Sequence, residues 1–239
     1  MGELWCARGD VVAAAGDPDD RLFVVHEGLV GLRIERPRAA HPHWVSLVGP
    51  SGSFGETALL GGPDPLTVTA VALTAARVTE LQVEELDVLE RVQLLPSAVE
   101  LVAAQVRERE DRAVYLRGSS AQQRVAACLC ELVRLVGRTS GPHRGRVERG
   151  VLTQQEMAQY IGCARDAVNK ALASFVRSGW IELSADHITL VDVPALRLLA
   201  GRGTTLGRPH VSPRPSAGPD LRDVVRRATR ARRGDFAAS

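Results

Sequence analysis

At 239 residues, 45% of them hydrophobic and 24% charged, the chain is long enough for one large or two small domains that bury cores of their own. No run of about 18 apolar residues occurs and "MGELWCARGD" lacks a basic segment followed by an apolar one, so the expectation is a cytoplasmic protein without membrane or export segments. The net charge of +2 conceals an asymmetry: beyond residue 200 nine arginines face three aspartates, so this tail carries +6 and the first 200 residues −4.

Cys6, Cys128, Cys130 and Cys163 have no disulfide or zinc spacing and include no Cys-x-x-Cys pair, so they read as reduced thiols, with no metal and no cofactor. From residue 5 to about 82 short apolar runs are broken by Gly, Pro and Asp. "LTVTAVAL" alternates with period two and turn residues recur about every ten positions, which predicts an antiparallel β-roll or barrel over 1–82.

The period then changes. Leu86, Leu89 and Val92, followed by Leu95, Val99, Val102, Val106, Arg109, Ala113 and Leu116, recur at steps of three and four, with Pro96 allowed in a helix's first turn. Residues 83–118 are therefore expected to form a helical connector and a dimerisation helix whose seam is Val99, Val102, Val106, Ala113 and Leu116, interrupted by Arg109. The alternative is an amphipathic helix packed on its own roll. "LRGSSAQQ" ends this helix, "AQQRVAACLCELVRLVG" forms another that stops at Gly137, "RTSGPHRGRVERG" reads as a polar loop, and "WIELSADHITLV" as a hairpin turning at Ala185-Asp186.

Within "LTQQEMAQYIGCARDAVNKALASF", Thr153 and Glu156 form a capping box that starts a helix, and Gly162 suits a tight turn between helices. Ala158 is small where helices cross, and Met157, Ile161, Val168, Leu172 and Phe175 supply a shared core. With the hairpin, this is the order of a winged helix-turn-helix over 119–200, and the fold class is α+β. A second helix from about 164 to 176 leaves Arg165, Asp166, Asn169 and Lys170 outward near its N-terminal end, the part of a recognition helix that enters a major groove. Arginine and lysine pair with guanine, aspartate accepts from cytosine and asparagine reads adenine. Lys170 is the only lysine in the chain, and its context makes it a base or phosphate contact rather than part of an ordinary solvated face.

At these residues the chain resembles the cyclic-AMP receptor protein and fumarate-nitrate regulator (CRP/FNR) family of bacterial transcription factors. "GDPDDRLFVVHEGLV" is similar to the family's roll strands, "SGSFGETALLGG" to its phosphate-binding cassette, the helix from about 97 to 117 to its dimer helix and "RDAVNKAL" to its recognition helix. The resemblance spans residues 5 to 200 and implies a cyclic-nucleotide-binding-like jelly roll, a long dimerisation helix and a winged helix-turn-helix. It implies base reading by Arg165, Asp166 and Lys170 and phosphate contacts at Thr153 and Gln155. Asp166 replaces the family's glutamate and Ala164 its serine. Only "MGEL" precedes Trp5, where the family has a short helical lead-in.

In the cyclic-nucleotide branch the cassette runs from a Gly-Glu pair to an Arg-Ser or Arg-Thr pair. Here Gly55 and Glu56 stand in place, but the later pair reads Leu66 and Thr67, and the dimer-helix positions that meet adenine read Arg109 and Glu110. An anionic phosphate beside Glu56 without a cation is unfavourable, so the pocket is degenerate and cyclic AMP is not expected to bind. Arg77, Arg107 or Arg109 could supply the missing cation, which leaves a cyclic-nucleotide-responsive regulator with a rearranged phosphate contact as an alternative. An iron-sulfur site fails because only Cys6 lies near the N-terminus, and haem would need ligation by His26, His41 or His43.

The sequence thus predicts a homodimeric regulator, not an enzyme, that binds double-stranded DNA at an inverted repeat, with RNA polymerase a partner, an unknown small-molecule effector, no metal and no membrane. The rival reading is a ligand-sensing or protein-interaction module without specific DNA binding. The tail, 201–239, is expected to be disordered and basic, either adding phosphate contacts or serving as an unselected extension.

Overall fold

The computed structural model describes residues 2–35, 42–61, 64–139 and 143–201; the basic tail and His41 lie outside the described residues. Among the described residues the N-terminal half holds eight strands in two antiparallel sheets. One has the order β1 (Gly2–Cys6), β8 (Ala76–Gln82), β3 (Arg21–Glu27), β6 (Ser53–Phe54), and the other β2 (Val11–Ala13), β7 (Thr69–Ala72), β4 (Val30–Ile34), β5 (His43–Val48). Between them lie Phe23, Val25, Val30, Leu32, Val48, Ala70, Ala72 and Val78, with Phe23 stacked on Phe54 at 4.7 Å.

Strand β3 explains why the chain does not alternate there. Phe23 and Val25 enter the inter-sheet core, while Leu22 and Val24 on its other face pack against helices, so the four central positions are all apolar. Those helices are the short α1 (Thr57–Leu60) and the long α2 (Val88–Gly118), which brings Leu94, Ala98 and Leu101 onto Leu22, Val24, Leu59 and Leu81.

The sequence places the start of the dimerisation helix near Pro96; the structure instead carries one helix from Val88 through Pro96 to Gly118. A proline inside a helix removes one backbone hydrogen bond and crowds the preceding turn. Leu94 and Ala98 on either side of it are fully buried, and this packing against the roll outweighs the local cost.

Two residues, Ser119 and Ser120, separate helix α3 (Ala121–Val136) from the end of α2. Ser120 caps it through a reciprocal capping box with Gln123, the Ser119 N–H returns to Tyr115 O at 3.0 Å, and Arg124 donates to Ser119 O at 3.0 Å. Then follow α4 (Gln154–Ile161), α5 (Arg165–Arg177), the hairpin β11 (Ile181–Leu183) and β12 (His187–Leu190), and α6 (Val193–Ala200).

The stretch read as a polar loop after Gly137 contains β9 (Arg138–Thr139) and β10 (Gly145–Glu148), and β10 pairs with β12 to give a four-stranded wing. Its local signal is weak because the strand opens on a glycine and exposes Arg146 and Glu148. That glycine is required: a Cβ at Gly145 would sit 2.4 Å from the Val133 side chain of α3. Helix α6 is likewise absent from the sequence reading, although Asp192 caps it through the Ala195 N–H at 2.9 Å and a proline occupies its first turn.

One apolar cluster joins the helix-turn-helix to the roll. Leu29, Trp44, Leu47 and Leu73 of the roll share it with Leu129, Met157, Tyr160 and Phe175, and Trp44 Nε1 donates to Gln159 Oε1 at 3.2 Å.

Candidate nucleic-acid interface

The capping box is present: Thr153 Oγ1 accepts from the Glu156 N–H at 3.1 Å, and Glu156 Oε2 accepts from the Thr153 N–H at 2.7 Å. Gly162, at φ 62° and ψ 49°, takes the left-handed conformation that closes α4 and lets α5 depart. Arg124 donates to the carbonyls of Ile161, at 3.3 Å, and Gly162, at 2.9 Å, so a cation holds the C-terminal end of α4. Met157, Ala158, Ile161, Val168, Leu172 and Phe175 are buried, which fixes the rotation of both helices and decides what faces outward.

Arg165, Asp166 and Lys170 are exposed and Asn169 is half-buried. Thr153 and Gln155 are exposed at the start of α4, and together with Arg165 they line a groove of about 470 Å³ closed on its other side by Leu183 and Ile188 of the wing. Asp166, Asn169 and Lys170 do not line this groove.

Arg149 is a residue that the sequence reading does not single out. It borders the same groove and a second one along the wing that contains Arg138, Arg146 and His187, so guanidinium groups continue from the start of α5 to the wing edge. A signal existed in "HRGRVERG", where Arg144 and Arg149 flank a strand that contains Arg146, but the strand is recognisable only through its pairing with β12.

The cassette residues border a different cavity, of about 370 Å³, between the roll and α2. Gly55, Glu56, Leu66, Thr67 and Arg109 line it; Glu110 does not. Glu56 is only 2% exposed, and its oxygens accept from Ser53 Oγ at 2.6 Å and from Gln105 Nε2 of α2 at 2.9 Å. Of the three arginines considered as replacements for the missing cation, Arg77 is held on the outside of the roll by Glu3 at 2.9 Å and Glu27 at 2.7 Å. Arg107 does not border the cavity, whereas Arg109 does. Asp19 and Asp64 also line it, so its titratable rim is predominantly acidic.

The predicted seam is largely open, although Val102 and Val106 also border the cavity between the roll and α2. Val99 is 54% exposed and Val106 46%, Ala113 is exposed, and Val102 and Leu116 are half-buried. Val88, Leu89 and Val92 extend the open apolar strip toward the helix start. Arg112, between Arg109 and Leu116, is 9% exposed, and its guanidinium lies 3.7 Å from the Tyr160 ring centroid and donates to Tyr160 O. The Tyr160 hydroxyl donates to Glu131 of α3, with both carboxylate oxygens at 3.0 Å. Burial pushes the Glu131 carboxyl up to about 7 against the opposing pull of Arg112.

Residues 3–90 match the cyclic nucleotide-binding domain family and residues 123–199 the Crp-like helix-turn-helix domain family. The chain is 31% identical over 187 residues to the CRP-like cAMP-activated global transcriptional regulator of Mycobacterium tuberculosis, covering 77% of this chain and 82% of that protein. It is 30% identical over 194 residues to the transcriptional regulator SdrP of Thermus thermophilus, covering 80% and 91%. A crystal structure of a CRP-family transcriptional regulator from Thermus thermophilus superposes with a TM-score of 0.67 at 26% identity, over 84% of this chain and 97% of that one. No helix among the described residues is long and apolar enough to cross a membrane. The roll, the long helix, the helix-turn-helix and these relatives together establish that the chain belongs to the CRP/FNR family of transcriptional regulators and carries that family's helix-turn-helix DNA-binding domain.

Proposed function

We propose that the protein acts in the cytoplasm as a homodimer that reads an inverted repeat in double-stranded DNA and engages RNA polymerase. The observation that carries this reading is the groove in which Arg165, Thr153, Gln155 and Arg149 converge, because it sets a base-reading arginine beside groups suited to phosphate. Arg165, Asp166, Asn169 and Lys170 are the proposed base readers, Thr153 and Gln155 the phosphate contacts. Pairing occurs along Val99, Val102, Val106, Ala113 and Leu116, supported by the apolar strip that α2 leaves open. Two recognition helices about 34 Å apart then meet successive major grooves. The division into a roll, 1–82, a helical connector and dimer helix, 83–118, a DNA-binding unit, 119–200, and a tail, 201–239, serves this arrangement.

We further infer that DNA binding does not depend on cyclic AMP, although the mycobacterial relative is named for activation by that nucleotide. Leu66 stands where a phosphate would need a cation, and both oxygens of Glu56 already accept hydrogen bonds from the chain's own Ser53 and Gln105. A second reading, a rearranged cyclic-nucleotide site, is favoured by one observation: Arg109 borders the cavity. Fluorescence anisotropy on a duplex selected from random sequence, with and without cyclic AMP, decides between them. Specific binding unchanged by the nucleotide supports the first reading; binding that appears only with it supports the second.

A further inference from the structure

Arg8 lies in the turn between β1 and β2, remote in sequence from the helix-turn-helix. Yet its guanidinium enters the start of α4. Nη1 donates to Gly150 O at 2.7 Å and Val151 O at 3.1 Å as well as to Leu73 O of the roll, and Nη2 donates to Glu156 Oε2 at 2.7 Å and Oε1 at 3.0 Å. One side chain therefore ties the roll, the loop before α4 and the carboxylate of the capping box together.

Glu156 Oε2 is also the atom that accepts from the Thr153 N–H, so Arg8 grips the residue that shapes the first turn of α4. Thr153 and Gln155 flank it, and both stay exposed with the contact closed, as do Arg165 and Lys170. A contact that inhibited DNA binding by occlusion would cover those residues; this one covers none of them. It also counters a carboxylate that would otherwise repel a phosphate arriving one residue away. The planar fork of arginine is needed, since a single ammonium cannot bridge three carbonyls and a carboxylate with the same fixed geometry.

We propose that Arg8 is a positioning residue for DNA binding: it locks the phosphate-contacting end of α4 onto the roll of the same protomer in the orientation that reads DNA. The contact acts through Glu156 and the Gly150 and Val151 carbonyls and does not itself touch DNA. This inference rests on the DNA-binding reading above.

The test measures affinity for a duplex selected by the wild-type protein, and for a random duplex, across a salt series, in wild type, Arg8→Ala, Arg8→Lys and Glu156→Gln. Glutamine keeps the capping geometry and removes the charge. Arg8→Ala is expected to weaken binding to the selected and the random duplex alike, by about tenfold, while leaving the salt slope unchanged. Arg8→Lys recovers only part of the loss, and Glu156→Gln weakens binding in the same direction while the melting temperature confirms a folded protein. Unchanged or tighter specific binding by Arg8→Ala overturns the proposal. So does a salt slope reduced by about one, which identifies Arg8 as a direct phosphate contact. If wild type selects no duplex at all, the DNA-binding reading fails and takes this proposal with it; if wild type selects one and Arg8→Ala matches it, only this proposal fails.

Discussion

Arg112 of the long helix places its guanidinium over the ring of Tyr160 in the first helix of the helix-turn-helix, 3.7 Å from its centroid, and that tyrosine in turn donates to the buried Glu131. Three helices meet in this stack, and its charges are sealed from water. Removing one member of such a group strands the other. Arg112→Ala is expected to destabilise the protein by about 3 kcal/mol in urea unfolding, and Glu131→Gln in the same background should recover most of the loss.

The same carboxylate gives stability a pH dependence. Its folded value of about 7 lies above the ordinary 4.5, so the protonated form favours folding. The stabilisation is complete below 4.5, declines as pH rises, and is gone once pH passes 7. Glu108 raises the value, and Arg112, Arg134 and the Tyr160 hydroxyl lower it, but burial dominates. Wild-type melting curves should show a fall in stability between about pH 5 and 7, and Glu131→Gln should flatten it, a difference on the order of 3 kcal/mol across that window.

Base reading by Arg165 predicts a cost of about 1 to 3 kcal/mol for Arg165→Ala, with specificity relaxed at one base pair of each half-site. Thr153→Ala should weaken all sequences alike and also cost about 1 kcal/mol of stability, because Thr153 caps α4 as well. Competition with single-base variants of the selected duplex separates the two patterns.

Pairing along the open face of α2 predicts that Val99→Glu or Val106→Glu yields monomers in sedimentation experiments. Affinity for the full inverted repeat should then fall more than tenfold, while each protomer keeps its melting temperature at low concentration.

Leu66→Arg tests the cavity. Restoring a cation at the cassette position should produce cyclic AMP binding by calorimetry, with wild type giving no heat under the same conditions. Binding of equal strength in wild type would assign the phosphate contact to Arg109.

Much of this architecture was legible in the chain. Thr153, Glu156 and Gly162 act within a few residues of themselves, and the buried set from Met157 to Phe175 follows helical spacing, so local chemistry sufficed for the helix-turn-helix. What escaped depends on distant partners. β10 is a strand because β12 lies beside it, Pro96 stays helical because Leu94 and Ala98 are buried against the roll, and Arg149 joins the groove of Thr153 and Arg165 because the wing folds back toward α4. The contacts of Glu56 with Gln105 and of Arg8 with Glu156 link residues 49 and 148 positions apart, and nothing in the spacing announces them.

The joint between α2 and α3 has a mechanical consequence. Two serines separate the helices, and both are tied down: the Ser119 N–H to Tyr115, the Ser119 carbonyl to Arg124, and Ser120 into the cap of the next helix. A hinge needs slack, and this elbow has almost none. Any roll of the long helix about its own axis therefore reaches the helix-turn-helix as torque, like a crank turning its handle, and even a small twist along the shaft changes where that unit points.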